Sequence, residues 1–294
     1  MVGIVLLVVL ALVVVSIAFY FATHKAQPTL TYTPPAVTAD DNLSPGKSNN
    51  ELIQDARIVN AGLTRDEEQQ KAAEAALNDV PQAIGDSSDT STTVEASRLS
   101  SLQTAFISES DRRLKSLNDT LQLLPRLTTT QQTQMKKLIT DETTAITGLK
   151  AKAAAETTTE AFAADKTAFD KQYGNYLLAI AQTNLLVWAN GQTALESKVN
   201  ILGGKYQERL NDASSQGGAT ATGQTYINTY QAGKTTAQGL TADALKLTVA
   251  VKPGDYNANR SVLRTYYGKM DTAHKELAKA VKAASDLTTV MSTL

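Results

Sequence analysis

Cysteine is absent from all 294 residues, which excludes disulfides, thiolate metal sites and cysteine nucleophiles together. An extracytoplasmic location is compatible with that absence but not required by it. Histidine occurs only as His24 and His274, so neither a two-histidine motif nor a zinc spacing exists. No G-x-S-x-G elbow accompanies the many serines, and no histidine lies near a candidate nucleophile in sequence. Neither sign of charge prevails: 28 basic residues stand against 29 acidic ones, a net charge of -1. A nucleic-acid binder shows a basic patch, and none is present, so no nucleic-acid partner is expected. Aromatic residues make up only 5%. Abundant Ala, Thr, Leu and Gln suit long helices packed through small side chains better than an aromatic-rich core.

What the chain does have begins at its N-terminus. Residues 2–23 carry no charged side chain and consist mostly of Val, Leu, Ile and Ala. About 20 helical residues at 1.5 Å each span the ~30 Å hydrocarbon core of a bilayer. The leading reading is an uncleaved signal anchor over residues 1–25, with the lipid bilayer as the partner of residues 2–23. A cleaved signal peptide is the second reading: Ser16-Ile17-Ala18 offers small residues, but the basic n-region is missing and the run is long. A pilin-type stem after Gly3 is the third. Positive charge close to the membrane is nearly tied, with Lys25 on one side and the terminal amine on the other. The polar, Thr-rich body favours an extracytoplasmic bulk; a cytoplasm-facing scaffold is the alternative.

Residues 26–50 read as a linker. Pro28, Pro34, Pro35 and Pro45 remove backbone donors and fix φ, which predicts extended, unpacked chain. Asp40-Asp41-Asn42 reads as a solvated acidic cluster rather than a cation site. Residues 51–93 should hold short helices and a flexible joint. Gly62 breaks the first run, Thr64 with Glu67 makes a capping box, and the Ser/Thr/Asp stretch 86–93 forms the joint.

From residue 94 to 294 the pattern is a sustained helical bundle. Leu99, Leu102, Phe106, Ser110, Arg113, Leu117, Thr120 and Leu124 make one stripe, stopped by Pro125. Met135, Leu138, Glu142, Ile146, Leu149 and Ala153 make a second, and the short connection predicts an antiparallel hairpin. Residues 160–212 read as one helix of roughly 75–80 Å, bent or broken at Gly191 or Gly203-Gly204. Tyr226, Tyr230, Gly233, Ala237, Leu240, Ala244, Leu247 and Val251 follow a four-three spacing. Leu263, Tyr266, Met270, Ala273, Leu277, Ala280, Ala284, Leu287 and Met291 continue it without a slip. A 3.5-residue repeat keeps one seam toward a partner helix, which predicts a hairpin turning at Lys252-Pro253-Gly254. A protein partner or self-association along these seams is expected.

Candidate chemistry is sparse. Asp255, Asn257 and Asn259 fit the start of a calcium loop, but Arg260 and Tyr266 stand where glycine and glutamate are required. Asp255 or Asn257 reads better as a helix cap. His274, beside the Ala273 seam position, reads as an exposed helical histidine. Tyr173, Tyr176, Tyr206, Tyr226, Tyr230, Tyr266 and Tyr267 read as core packing with hydroxyls at the rim. No catalytic, cofactor-binding or metal-binding residue is assigned, and no enzymatic activity or cofactor is expected.

Several short strings carry a family likeness. They are Asp111-Arg112-Arg113-Leu114 through Leu117-Asn118, Leu127-Thr128, and Ile146-Thr147-Gly148-Leu149-Lys150-Ala151-Lys152. Tyr173-Gly174-Asn175-Tyr176-Leu177-Leu178, Asn184-Leu185-Leu186 and the turn at residues 253–257 complete the set. With them the last two-thirds of the chain resembles a group of exported, Ala/Leu-rich helical bacterial envelope proteins of unassigned function. Ala181 stands where that group leads one to expect proline. The resemblance implies export and a helical fold, and it brings no catalytic residues. The expectation is an all-α, membrane-anchored structural or interaction protein: a surface spacer, adhesin or assembly subunit. A cytoplasm-facing coiled-coil scaffold and a pilin-like or secreted filament subunit are the alternatives.

Overall fold

Helix starts are set by local side-chain chemistry. Ser48 and Glu51 close a capping box, as do Thr128 and Gln131, while the Thr158 hydroxyl accepts from the Ala161 amide. Each satisfies amide donors that a helix leaves open at its N-terminus. A computed structural model describes residues 42–79, 84, 95–218, 220–248 and 256–291. These form helices α1 (Asn49–Leu77), α2 (Glu95–Leu121), α3 (Thr129–Ala155), α4 (Thr159–Ser215), α5 (Ala221–Thr248) and α6 (Tyr256–Met291). A 3-10 turn, Leu124–Arg126, lies between α2 and α3, and no strand occurs among the described residues. The all-α helical bundle is therefore present. The expected anchor at residues 2–23, the joint at 86–93 and the turn at 252–254 lie outside the described residues, as does Asp255. Among the described residues no helix is long and apolar enough to cross a membrane.

The architecture is organised by α4, an unbroken helix of 57 residues and about 85 Å. Its first half packs with α2 and α3. Glu95 meets Thr159, Phe106 lies against Phe162 and Phe169, and Arg113 reaches Phe169, so α2 runs parallel to α4. Gln103 bonds to Ala153 and Asp111 to Lys150, which makes α2 and α3 the expected antiparallel hairpin. The second half of α4 packs with α1, α5 and α6 in a four-helix bundle. Gly62 meets Leu195, Asp55 meets Lys205, and Asn49 meets Met291; α1 is thus antiparallel to both α4 and α6. Gly233 against Ala280 and Asp243 against Lys269 make α5 and α6 the second antiparallel hairpin.

The seams are buried inside this one chain. All nine positions of the α6 register, Leu263 to Met291, are inaccessible or nearly so, and the full α2 stripe is buried. In α3 Ile139 takes the buried place expected for Leu138, and Leu149 is half-buried. In α5 Ile227 and Thr241 are buried while Tyr226 and Leu240 are partly exposed. That shift of one residue moves the stripe toward α4, which α5 also has to meet.

Four expectations are corrected. Residues 49–77 form one helix instead of two short ones, and it packs on α4 and α6. Gly62 does not break it, and the Thr64 hydroxyl donates to the Asn60 carbonyl rather than capping. Gly62 is a packing residue: a Cβ there would come within 2.7 Å of Leu195 Cδ1. Neither Gly191 nor Gly203-Gly204 breaks α4; Gly191 faces Gln69 and Gly203 faces the Tyr230 ring. Finally, the end of the linker is docked. The Ser44 amide donates to Asp55 at 2.7 Å, Lys205 bridges Ser44 and Asp55, and Leu43 packs on the core.

Candidate functional site

Two buried polar clusters interrupt the apolar layers. In the four-helix half, α1 contributes Asp66, one heptad beyond Val59 on its inner face. α4 contributes Trp188, Gln192 and Glu196; α5 contributes Thr241, and α6 contributes His274. His274 Nδ1 lies 2.6 Å from Asp66 Oδ2, and the histidine is buried, which corrects the expected exposed position. The reason is that α6 carries two seams. The register through Ala273 faces α5, while His274 and Val281, one heptad apart, are buried on the flank where α1 packs. The Thr241 hydroxyl donates to Glu196 Oε1 at 2.6 Å, and Gln192 Nε2 donates to Thr241 Oγ1 at 2.7 Å. Burial pushes the Asp66 carboxyl above its usual range, against the pull of His274 and the Trp188 indole. That indole N–H lies near the carboxylate, although neither it nor Asp66 Oδ1 completes a hydrogen bond. Glu196 is likewise raised by burial.

In the other half, Arg113 is fully buried. Its Nε donates to Glu109 Oε1 at 2.9 Å and its Nη1 to the Phe169 carbonyl at 3.2 Å. Its guanidinium lies 3.8 Å from the Phe169 ring centroid and 4.9 Å from that of Tyr173, a cation–π arrangement. Arg112 bonds to both Glu109 oxygens and to Asp79, two residues beyond the end of α1. Tyr176 donates to Asp79 Oδ2 and Tyr173 to the Asp79 carbonyl. Burial raises both tyrosine pKa values, so their hydroxyls stay protonated donors. The cluster ties the end of α1 to α2 and α4 where the two bundles meet. Glu142 of α3 is pushed up to about 7 by burial, partly countered by Arg113, and its Oε1 has no partner.

Of the seven tyrosines singled out from sequence, Tyr176, Tyr206, Tyr230 and Tyr266 are fully buried. The inner placement holds for these four, but two hydroxyls turn inward instead of to the rim. Tyr266 donates to the Leu185 carbonyl at 2.9 Å and Tyr230 to that of Val199. Asp66, Glu109 and Glu196 were not legible as site residues, because charged residues at helical spacing read as solvated faces. Among the described residues no three His, Asp or Glu side chains are grouped to hold a metal ion. Chemically, the second cluster pairs Arg112 and Arg113 with Glu109 and Asp79, while in the first Glu196 is held by the neutral donors Thr241 and Gln192.

A cleft of about 310 Å³ opens beside the first cluster, where α1 crosses α4 over Gly62 and Gly191. Arg65 and Asp66 of α1, Arg126 of the 3-10 turn and Lys198 of α4 line it, and Asn42 closes one side. Gln69 joins two walls: with its amide turned to satisfy both ends, Nε2 donates to the Val187 carbonyl and Oε1 accepts from Arg126 Nη2 at 2.8 Å. No protein-family model, curated protein or solved structure matches this chain.

Proposed function

We propose that the chain is a membrane-anchored, extracytoplasmic structural and interaction protein with no catalytic activity: a spacer, adhesin or assembly subunit. The observation that carries this reading is α4, which runs unbroken through both bundles and makes a strut of about 85 Å. A helix clamped by neighbours along its length transmits position, which is what a spacer requires. The docked residues 43–47 support it further, since the Ser44–Asp55–Lys205 contacts and the Lys47–Glu208 ion pair give the upstream chain a fixed point of attachment. The hydrophobic run at residues 2–23 supplies the anchor. The likeness to exported Ala/Leu-rich helical envelope proteins points the same way.

The seams first read as surfaces for self-association are occupied by this chain's own helices. Contacts with another protein therefore fall to the polar outer faces. Ile201, 49% accessible, is the one large apolar side chain exposed among the described residues.

The test uses the absence of native cysteine. A single Thr236→Cys change, on an exposed position of α5, is probed with a membrane-impermeant maleimide on intact cells. Labelling before lysis supports the proposed orientation. Labelling only after lysis, with the chain in the membrane fraction, favours the cytoplasm-facing scaffold. Recovery of the native chain in the soluble cytosolic fraction refutes the anchor.

A further inference from the structure

We infer that Glu142 is a proton-operated catch on α3: while its carboxyl is protonated the helix stays docked, and once it ionises the middle of the helix lifts from its neighbours. α3 packs on α2, α4 and the 3-10 turn. Its buried positions are Met135, Ile139, Glu142, Ile146 and Ala153, which steps of four, three, four and seven place on one seam. Four of these supply apolar burial, a small hold for a helix of 27 residues. Segments with few buried apolar contacts open at lower free energy than the rest of a fold. The fifth position, at the centre of the helix, is an acid only 3% exposed, and its Oε1 has no hydrogen-bond partner. A leucine there would serve packing alone, whereas an ionised carboxylate is among the costliest groups to keep from water.

The charged groups around Glu142 have other partners. α2 presents Arg113, whose charge pulls against the effect of burial, but its Nε donates to Glu109 and its Nη1 to the Phe169 carbonyl. Glu109 is shared in turn with Arg112. α4 presents Tyr173 and Tyr176, whose rings lie beside the Arg113 guanidinium and whose hydroxyls donate to Asp79. Arg126 of the 3-10 turn is held by Gln69. On α3 itself, Asp141 pairs with Lys137 on the outer face and Lys150 with Asp111 of α2. An ionised Glu142 is therefore solvated by admitting water, and water reaches it when α3 moves outward. The ends of α3 are pinned by polar contacts: Gln103 donates to the Ala153 and Glu156 carbonyls, and Asn190 to Gln131. The motion is thus an outward bowing of the central turns, residues 136–149, which uncovers Ile139 and Ile146. An apolar face covered in acid becomes accessible above neutral pH.

The experiment follows amide hydrogen exchange of the full chain in detergent by mass spectrometry, normalised to the intrinsic rate at each pH. A released segment of this length is marginally helical on its own, so its amides exchange when it lifts. The docked state holds the proton up to about pH 7 and the open state only to about 4.5, so docking is strongest in acid. Protection of residues 136–149 should fall roughly 70-fold between about pH 5 and pH 8, while that of α6 holds. In Glu142→Gln, which keeps the shape without the ionisation, the α3 profile should be flat. The comparison of α3 with α6 inside the native chain needs no variant. Constant α3 protection in the native chain, an equal fall in α3 and α6, or the same fall in Glu142→Gln overturns the catch.

Discussion

Gly203 and Gly204 are adjacent in α4, yet alanine should act on them with opposite sign. Both are helical, and replacing a helical glycine by alanine stabilises by up to about 1 kcal/mol through the unfolded chain. At Gly204 nothing lies within 4 Å of where the new Cβ would be, so Gly204→Ala should keep most of that gain. At Gly203 the Cβ would overlap Tyr230 Cε1, with Cδ1 at 3.1 Å and Gln231 Nε2 at 3.3 Å. Tyr230 cannot swing away cheaply. It is fully buried, packs edge-on to Tyr206 and donates its hydroxyl to the Val199 carbonyl. Overpacking costs about 1–3 kcal/mol, and a strained or lost hydrogen bond adds about 1 kcal/mol. Gly203→Ala should therefore be destabilised by roughly 1–3 kcal/mol net, leaving about 2–4 kcal/mol between the two variants. At roughly 2–4 °C per kcal/mol for a chain of this size, the melting temperatures should differ by roughly 4–16 °C. Far-ultraviolet circular dichroism on the full chain in mild detergent measures it. Two variants that shift together, in either direction, would refute the α4–α5 packing described here.

Glu142 carries a pH dependence whose sign follows from its raised pKa. Because the folded state holds this proton up to about pH 7, the stability it contributes is present at low pH and lost as pH rises from about 4.5 to about 7. The ceiling on that loss is on the order of 3 kcal/mol. Urea midpoints across that range should fall more steeply for the native chain than for Glu142→Gln, and parallel profiles would discount the burial argument. The Asp66–His274 pair gives a second outcome. His274→Leu leaves the buried Asp66 carboxyl without its hydrogen-bond partner and should cost about 1–3 kcal/mol, whereas Asp66→Leu with His274→Leu should recover much of that. A single variant within about 1 kcal/mol of the native chain by urea unfolding would show the pair to be energetically idle.

How much was legible depended on how many neighbours a helix has. α2 and α6 each read correctly from their periodicity, because an unbroken three-four spacing has one geometrical meaning: a seam against another helix. α4 was legible in length but not in environment. From Tyr176 to Ala189 it is buried all round, since both bundles close on it there. No single stripe can encode burial on every side. His274 was misread for a related reason, as one register was assigned to a helix that has two. Gly62, Gly191 and Gly203 look like breaks in a one-dimensional reading, and only the identity of the opposing side chain shows that they are close approaches. Pro45 marked a linker, but nothing local could show that Ser44, next to it, is held by Asp55 and Lys205. The cleft combines side chains from α1, α4 and the 3-10 turn, too far apart in sequence to form a motif.

The continuity of α4 through both bundles can be measured directly. Spin labels on cysteines introduced at Lys171 and Asn211, both exposed, are separated by 40 helical steps, or about 60 Å. Pulsed electron resonance on the full chain should give one narrow distribution near that distance. A broad distribution, or one centred below about 50 Å, would mean that α4 hinges at its glycines and that the chain is not a strut.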